Sequence, residues 1–393
     1  MSKFSKIEFC STRIDKQILT QRAYNQRWAE LPEGTIPLTA ADPDFPVPAA
    51  IQDALVEYLK GGYLSYGPPA GLPEFREAAA IRFSIRDGIE LSADRIVAID
   101  SAASGMVALA RAYLDVGDEM LIFDPVDFLF SHGAEKAGAK TARFRLTATG
   151  EIDWDLFESL INPRTKMIGV CQPHNPLGRN FTASELRKIL ELAQKYDLWI
   201  LADEIWSDIV FAPGRHISML SIEGAAERTL LLQGTSKSFG LAGARIGFIA
   251  LPDTHHVASF LENSGAVYTS FGAATLSQVA AIAAWQHCSQ WLAGFVAHLQ
   301  SQRDFACERL ASLAGVSVSR PDATFVLFPD ISKTGWSSEA LSEHLKQQAE
   351  VAVVPGSERW FGPGAVGHIR LSLATTREIL SEALDRIESN WPV

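Results

Sequence analysis

Between about residue 50 and residue 250, short apolar runs alternate with longer stretches of helical periodicity, and this alternation limits the available folds more than any other feature. The runs are IVAID from Ile96, MLIFD from Met120, KMIGVC from Lys166, LWILADE from Leu198, TLLLQG from Thr229 and RIGFIAL from Arg245. Strands that are apolar almost throughout are buried on both faces, and the helices between them supply the cover. The reading is therefore an α/β domain built on a mostly parallel sheet. Helices are expected from Ala102 to Leu114 and over TASELRKILELAQKYD, where Thr182 is an N-cap and Glu185 stands at the third helical position.

From about Ser289 the pattern changes to a long helix reaching Leu313. VSVSR, TFVLFPD, the helix SSEALSEHLKQQ, VAVVPG, IRLSLA and a last helix ending near Asn390 follow. That order suggests a smaller α+β domain. We expect a large domain over 45–288 and a small one formed by 1–44 together with 289–393. With no repeats or low-complexity linkers between them, the two should pack closely. A chain of 393 residues is long enough for both cores without disulfide staples.

Charge and cysteine usage exclude several classes of function. The 46 acidic against 35 basic residues give a net charge of -11, which disfavours nucleic acid and anionic membranes as partners. Cys10, Cys171, Cys288 and Cys307 form no C-x-x-C pair and are expected to be small core residues in a reducing compartment. The N-terminus MSKFSKIEFCSTRIDKQ carries charges where a secretory signal needs an apolar run, and FGAATLSQVAAIAAW is too short and too polar to span a bilayer. A cytoplasmic location is expected.

In open α/β sheets ligands bind beyond the carboxyl ends of the strands, so polar residues just after the apolar runs carry the chemical information. Asn175 in CQPHNPLGR, Asp203 at the end of LWILAD and Lys237 after LLLQGTS meet that description. Singly they read as a turn, a strand-end cap and a solvated charge. Together they would bring an amide, an acid and an amine into one crevice. A lysine held there suits Schiff-base chemistry, and pyridoxal phosphate also needs a carboxylate beside its ring nitrogen, which Asp203 could supply. Its phosphate could be met by the guanidinium of Arg245, eight residues after Lys237, by the Ser236 hydroxyl, and by backbone amides near Ala102 and Ala103 at a helix start.

In this order HNPLGR, ADEIWSD and GTSKSFGLAGARIGF resemble the class I/II aminotransferase family of fold type I pyridoxal-phosphate enzymes, over about Pro37 to Leu373. The resemblance implies a mostly parallel seven-stranded sheet. It also implies that Lys237 forms the internal aldimine with the cofactor and then shuttles the substrate proton. Asp203 would partner the ring nitrogen and Asn175 the ring oxygen. Arg245 and Ser236 would hold the phosphate, and Tyr66 would reach the phosphate of a neighbouring subunit in a homodimer. Arg370 in HIRLSLA would hold the substrate α-carboxylate, with Ala41 and Asn175 beside the substrate and Phe128 and Trp206 beside the cofactor.

ADPDFP from Ala41, the histidine of PHNPLGR, DEIWSD and SKSF resemble more closely the cystathionine β-lyase-type carbon-sulfur lyases. Three positions depart from the family pattern. Asp127 stands in DPVDFLF where an aromatic usually stacks on the ring, with Phe128 next to it; Trp206 stands where Tyr or His is usual; Gly234 replaces a frequent Ser or Thr. The chain has no Walker loop, H-E-x-x-H or G-x-S-x-G, and His255-His256 reads as a loop pair rather than a metal ligand set. The expected activity is amino transfer on an α-amino acid. A carbon-sulfur β-lyase is the alternative, and a catalytically silent amino-acid sensor is a third reading.

Overall fold

The computed structural model describes residues 9–147, 150–265, 268 and 272–392. The extreme N-terminus and Phe271, both used above to judge targeting and membrane segments, lie outside the described residues.

Seven strands form one sheet. Across it they run Ile96–Ile99, Gly247–Ala250, Thr229–Gly234, Trp199–Asp203, Thr165–Cys171, Glu119–Asp124 and Lys140–Arg145. All are parallel except Gly247–Ala250, which is antiparallel to both of its neighbours. The six apolar runs became six of these strands because side chains on both of their faces are buried under helices. The seventh strand, KTARFR, was not foreseen. It is an edge strand paired only with Glu119–Asp124, so only Phe144 is fully buried and it carries no apolar run.

Helices cover the two faces. Thr182 and Glu185 form the expected capping box at the start of Ala183–Lys195. Ser101 caps Ala102–Tyr113, its hydroxyl accepting from the Ser104 amide at 3.1 Å. That helix lies close to the sheet because it has Gly105 at the contact: a Cβ there would stand 2.7 Å from the Leu232 side chain. His255 and His256 are not in a loop. They open the helix Thr254–Asn263, whose N-cap Asp253 accepts from the His256 amide at 2.9 Å.

A second body is built from the C-terminal elements. Its three-stranded antiparallel sheet has Ile369–Ser372 between Val354–Pro355 and Val326–Leu327. It packs with the helices Ser289–Ala311, Ser338–Gln348 and Arg377–Ser389. VSVSR contributes only one bridge, Ser317 with Asp330, rather than a strand. Ile36–Pro37 pairs in parallel with Val351–Ala352, which ties the N-terminal segment to this body. That pairing decides the position of Thr39 and Ala41.

Cys171 and Cys288 are buried, whereas Cys10 and Cys307 are only partly so, and none of the four forms a disulfide. Among the described residues, no helix is long and apolar enough to cross a membrane.

Candidate active site

The carboxyl ends of the parallel strands open onto a cavity of about 700 Å³. The five parallel strands other than the edge strand Lys140–Arg145 each deliver residues there for the same geometric reason: the strand ends, the chain turns, and the side chains at that end project beyond the sheet edge. Asp203 and Cys171 end their own strands, and Asn175 follows Thr165–Cys171. Asp127 and Phe128 follow Glu119–Asp124, Ser101 to Ala103 follow Ile96–Ile99, and Ser236 and Lys237 follow Thr229–Gly234. Arg245 reaches the same edge from the opposite chain direction. Gly247 pairs with both Gly234 and Ile99, so the antiparallel strand begins where its neighbours end.

The second body closes the cavity with Arg370, Val353 to Pro355, Trp360 and Phe361, and the N-terminal segment adds Thr39 to Ala41. Of the residues singled out from the sequence, Ala41, Ala102, Ala103, Phe128, Asn175, Asp203, Trp206, Ser236, Lys237, Arg245 and Arg370 all line this one cavity. Tyr66 does not. It lies on the segment after the helix Ala49–Lys60 and is 91% exposed.

Lys237 Nζ donates to the Ala41 carbonyl at 2.7 Å and lies 5.4 Å from the centre of the Trp206 ring. Burial pulls its ammonium below the usual lysine range, partly opposed by Asp42, so more of the free amine exists near neutral pH. Asp203 uses one carboxylate oxygen to accept from the Ile205 amide at 3.1 Å. Burial pushes its carboxyl up to about 7, against the lowering effect of that amide. A buried carboxyl held this high is set to gain from a cationic partner placed against it.

Arg370 is buried on the central strand of the small sheet, and its Nε has no hydrogen-bond partner. Its Nη1 donates to Asn175 Oδ1 at 3.3 Å, and Asn175 Nδ2 donates to Asp127 Oδ2 at 2.8 Å. Desolvation lowers the guanidinium to about 10, with the Asp127 charge pulling the other way. A buried guanidinium without a hydrogen-bonded carboxylate is a ready anion site.

The Thr235 hydroxyl has no partner, and the amides of Ala102 and Ala103 open a helix and therefore have no intrahelical acceptor. Arg245 adopts a left-handed backbone, φ 51°, an expensive conformation for a side chain of this size. An amine, an isolated acid, an anion cradle at a helix start and a second anion site fit pyridoxal phosphate together with an amino-acid carboxylate.

The Lys237 turn is itself held from behind. Ser238 donates to Asp208 at 2.8 Å, and Asp208 is ion-paired with Arg82 at 2.7 Å and Arg86 at 3.1 Å. Sequence reading missed Thr39, Cys171, Trp360 and Phe361. Cys171 was legible only as the last residue of an apolar strand. The others come from segments with no motif: Thr39 is brought in by the pairing of Ile36–Pro37 with Val351–Ala352, and Trp360 and Phe361 by their carbonyls, which accept from the Phe128 and Val126 amides, each at 2.9 Å.

A family model described as aminotransferase class I and II matches residues 33–387. The aspartate aminotransferase of Pyrococcus horikoshii is 32% identical over 360 residues, 91% of this chain and 90% of that protein. The arginine–pyruvate transaminase of Pseudomonas aeruginosa is 31% identical, covering 89% and 88% of the two chains. Among solved structures, one titled a putative pyridoxal-phosphate-dependent β-cystathionase of Corynebacterium diphtheriae superposes with a TM-score of 0.87 at 26% identity, over 98% of each chain.

Proposed function

Because the chain belongs to the class I and II aminotransferases, a fold type I family dependent on pyridoxal phosphate, we propose that it transfers the amino group of an α-amino acid to an oxo acid. The observation that carries this reading is the convergence of Lys237, Asp203, Asn175 and Arg370 on one cavity from four separate strands. When bound, pyridoxal phosphate supplies an electrophilic carbonyl and a protonatable ring that can hold the electron pair released at the substrate α-carbon.

The chain's own residues do the rest. Lys237 presents a desolvated amine for covalent capture of the cofactor and, once free, moves a proton from the substrate α-carbon. Asp203 keeps the ring nitrogen protonated, its carboxylate stabilised by the charge it creates. Asn175 has two amide hydrogens; one goes to Asp127, which leaves the other for the ring oxygen. The Trp206 indole can add a donated hydrogen bond but cannot take a proton back. Arg245, Ser236 and the amides of Ala102 and Ala103 hold the phosphate, and Phe128 bounds the ring. Arg370 takes the substrate α-carboxylate with its two-pronged guanidinium.

The working molecule in this reading is a homodimer with a large domain over 45–288 and a small one over 1–44 and 289–393. Val56, Leu59, Tyr63, Leu64 and Tyr66 are all exposed within eleven residues, an apolar surface that a second copy would cover. Tyr66 would then serve the partner's cofactor. Four cysteines without a disulfide among them fit a reducing, cytoplasmic setting.

A carbon-sulfur β-lyase is the second reading, favoured by the match to a protein titled a β-cystathionase along the whole chain. The test is a panel of amino acids supplied with an oxo-acid acceptor. Formation of the amino acid derived from the acceptor is the expected result. Thiol, ammonia and pyruvate from a cysteine conjugate without acceptor, and no transfer, would favour the lyase. Bound cofactor with no turnover of any kind would leave the sensor reading.

A further inference from the structure

The two curated relatives are named for aspartate and for arginine, side chains of opposite charge, so family membership does not choose a substrate. The cavity wall does. Apart from the Cys171 thiol, the ionisable side chains lining it among the described residues are Glu30, Asp127, Asp203, Lys237, Arg245 and Arg370. In the reading above all three cations are committed: Lys237 to the cofactor carbonyl, Arg245 to the phosphate and Arg370 to the α-carboxylate. Asp203 is committed to the ring nitrogen. The two side chains left over, Glu30 and Asp127, are both acids. An acidic substrate side chain would find no described cation to pair with and would face these carboxylates instead.

Asp127 is held firmly enough to discriminate. Its backbone amide donates to the Asn175 carbonyl at 3.2 Å, its Oδ1 accepts from the Leu129 amide at 3.1 Å, and its Oδ2 accepts from Asn175 Nδ2 at 2.8 Å. Each carboxylate oxygen keeps a lone pair for a further donor. Asn175 also accepts from Arg370, so a single amide side chain fixes the position of Asp127 relative to the α-carboxylate holder. No hydrogen bond joins Asp127 directly to Arg370, which leaves both ends of the pair open to substrate.

We infer that Asp127 is a specificity-determining residue, selecting α-amino acids whose side chain bears an amine or guanidinium over those with a carboxylate. This rests on the aminotransferase reading, with the α-carboxylate on Arg370 and the cationic end of the side chain turned to Asp127. The net charge of -11 acts in the same direction by drawing cationic solutes toward the protein.

Two measurements on the holoenzyme test it. The first is transfer to an oxo acid from ornithine, lysine, arginine, leucine and aspartate. The second is titration of the cofactor absorbance with α-methyl-ornithine and α-methyl-aspartate, which bind but have no α-proton to lose. Cationic compounds should bind and turn over about 10- to 100-fold better than acidic ones, the worth of one charge-assisted contact. Asp127→Asn should reduce that ratio by about 10-fold or more in both measurements, and Asp127→Glu should restore its direction. Equal or better use of aspartate by the unaltered chain, or a ratio unmoved by Asp127→Asn, would overturn the inference while leaving the aminotransferase reading intact. If no amino acid on an extended panel alters the absorbance or transfers its amino group, the aminotransferase reading fails and the inference fails with it.

Discussion

Replacing Lys237 by alanine should give a folded chain that still takes up pyridoxal phosphate but no longer bonds to it, with turnover lower by roughly 10⁴-fold or more. Only an amine can make that bond, and Lys237 is the only lysine lining the cavity among the described residues. Its loss removes the hydrogen bond to the Ala41 carbonyl, worth about 1 kcal/mol, and also relieves the burial of an ammonium, so stability should change little. Arg245, Ser236, Asp203 and Asn175 remain to hold free cofactor. The check is borohydride reduction of the unaltered holoenzyme followed by peptide mapping. The mark should fall on the peptide containing Lys237, and no marked peptide should be recovered from the variant. Cofactor trapped on a different lysine would refute the assignment.

Asp203→Asn should separate stability from activity. In the cofactor-free chain the carboxyl of Asp203 is pushed up to about 7 by burial, against an ordinary value of 3.8, so the native state holds its proton over a range where the unfolded state has lost it. A raised carboxyl means that stability is lost as pH rises from about 4 to about 7. The asparagine amide can still accept from the Ile205 amide and carries no charge to desolvate. The cofactor-free variant should therefore melt higher than the cofactor-free parent at pH 8, with the difference vanishing toward pH 4. The loaded enzyme should behave oppositely: an amide cannot balance a protonated ring nitrogen, and kcat should drop by roughly 10²-fold or more. Parallel melting curves at the two pH values and a rate measurement check both halves. Near-normal turnover would remove Asp203 from the proposed role.

How much of this was legible beforehand depends on what physically produced each feature. Central strands must be apolar on both faces, so six of the seven could be read directly. KTARFR was invisible because an edge strand need not be. The Thr182 capping box is a local hydrogen-bond pattern and was equally readable. The His255-His256 pair could have been placed on a helix by noticing Asp253 as its cap. Side chains at the ends of apolar runs reached the cavity because strand direction alone dictates where they point. Thr39 and Ala41 depend on Ile36–Pro37 pairing with Val351–Ala352 across most of the chain, a contact that no local pattern encodes. Ala41 was reached only by resemblance. Asp127 could be recognised as a departure from the family, but its link through Asn175 to Arg370 is a property of the packed site.

The central claim is amino transfer, and the most direct measurement of it omits the acceptor. Holoenzyme at known site concentration is mixed with its best amino-acid substrate, and oxo acid and ammonia are quantified over time. An aminotransferase completes only half of its reaction without an acceptor, so about one oxo acid per site should appear and then stop. No ammonia should be released, and adding an oxo acid should restart turnover. Continuous release of oxo acid and ammonia over many turnovers, with no acceptor present, would contradict the account.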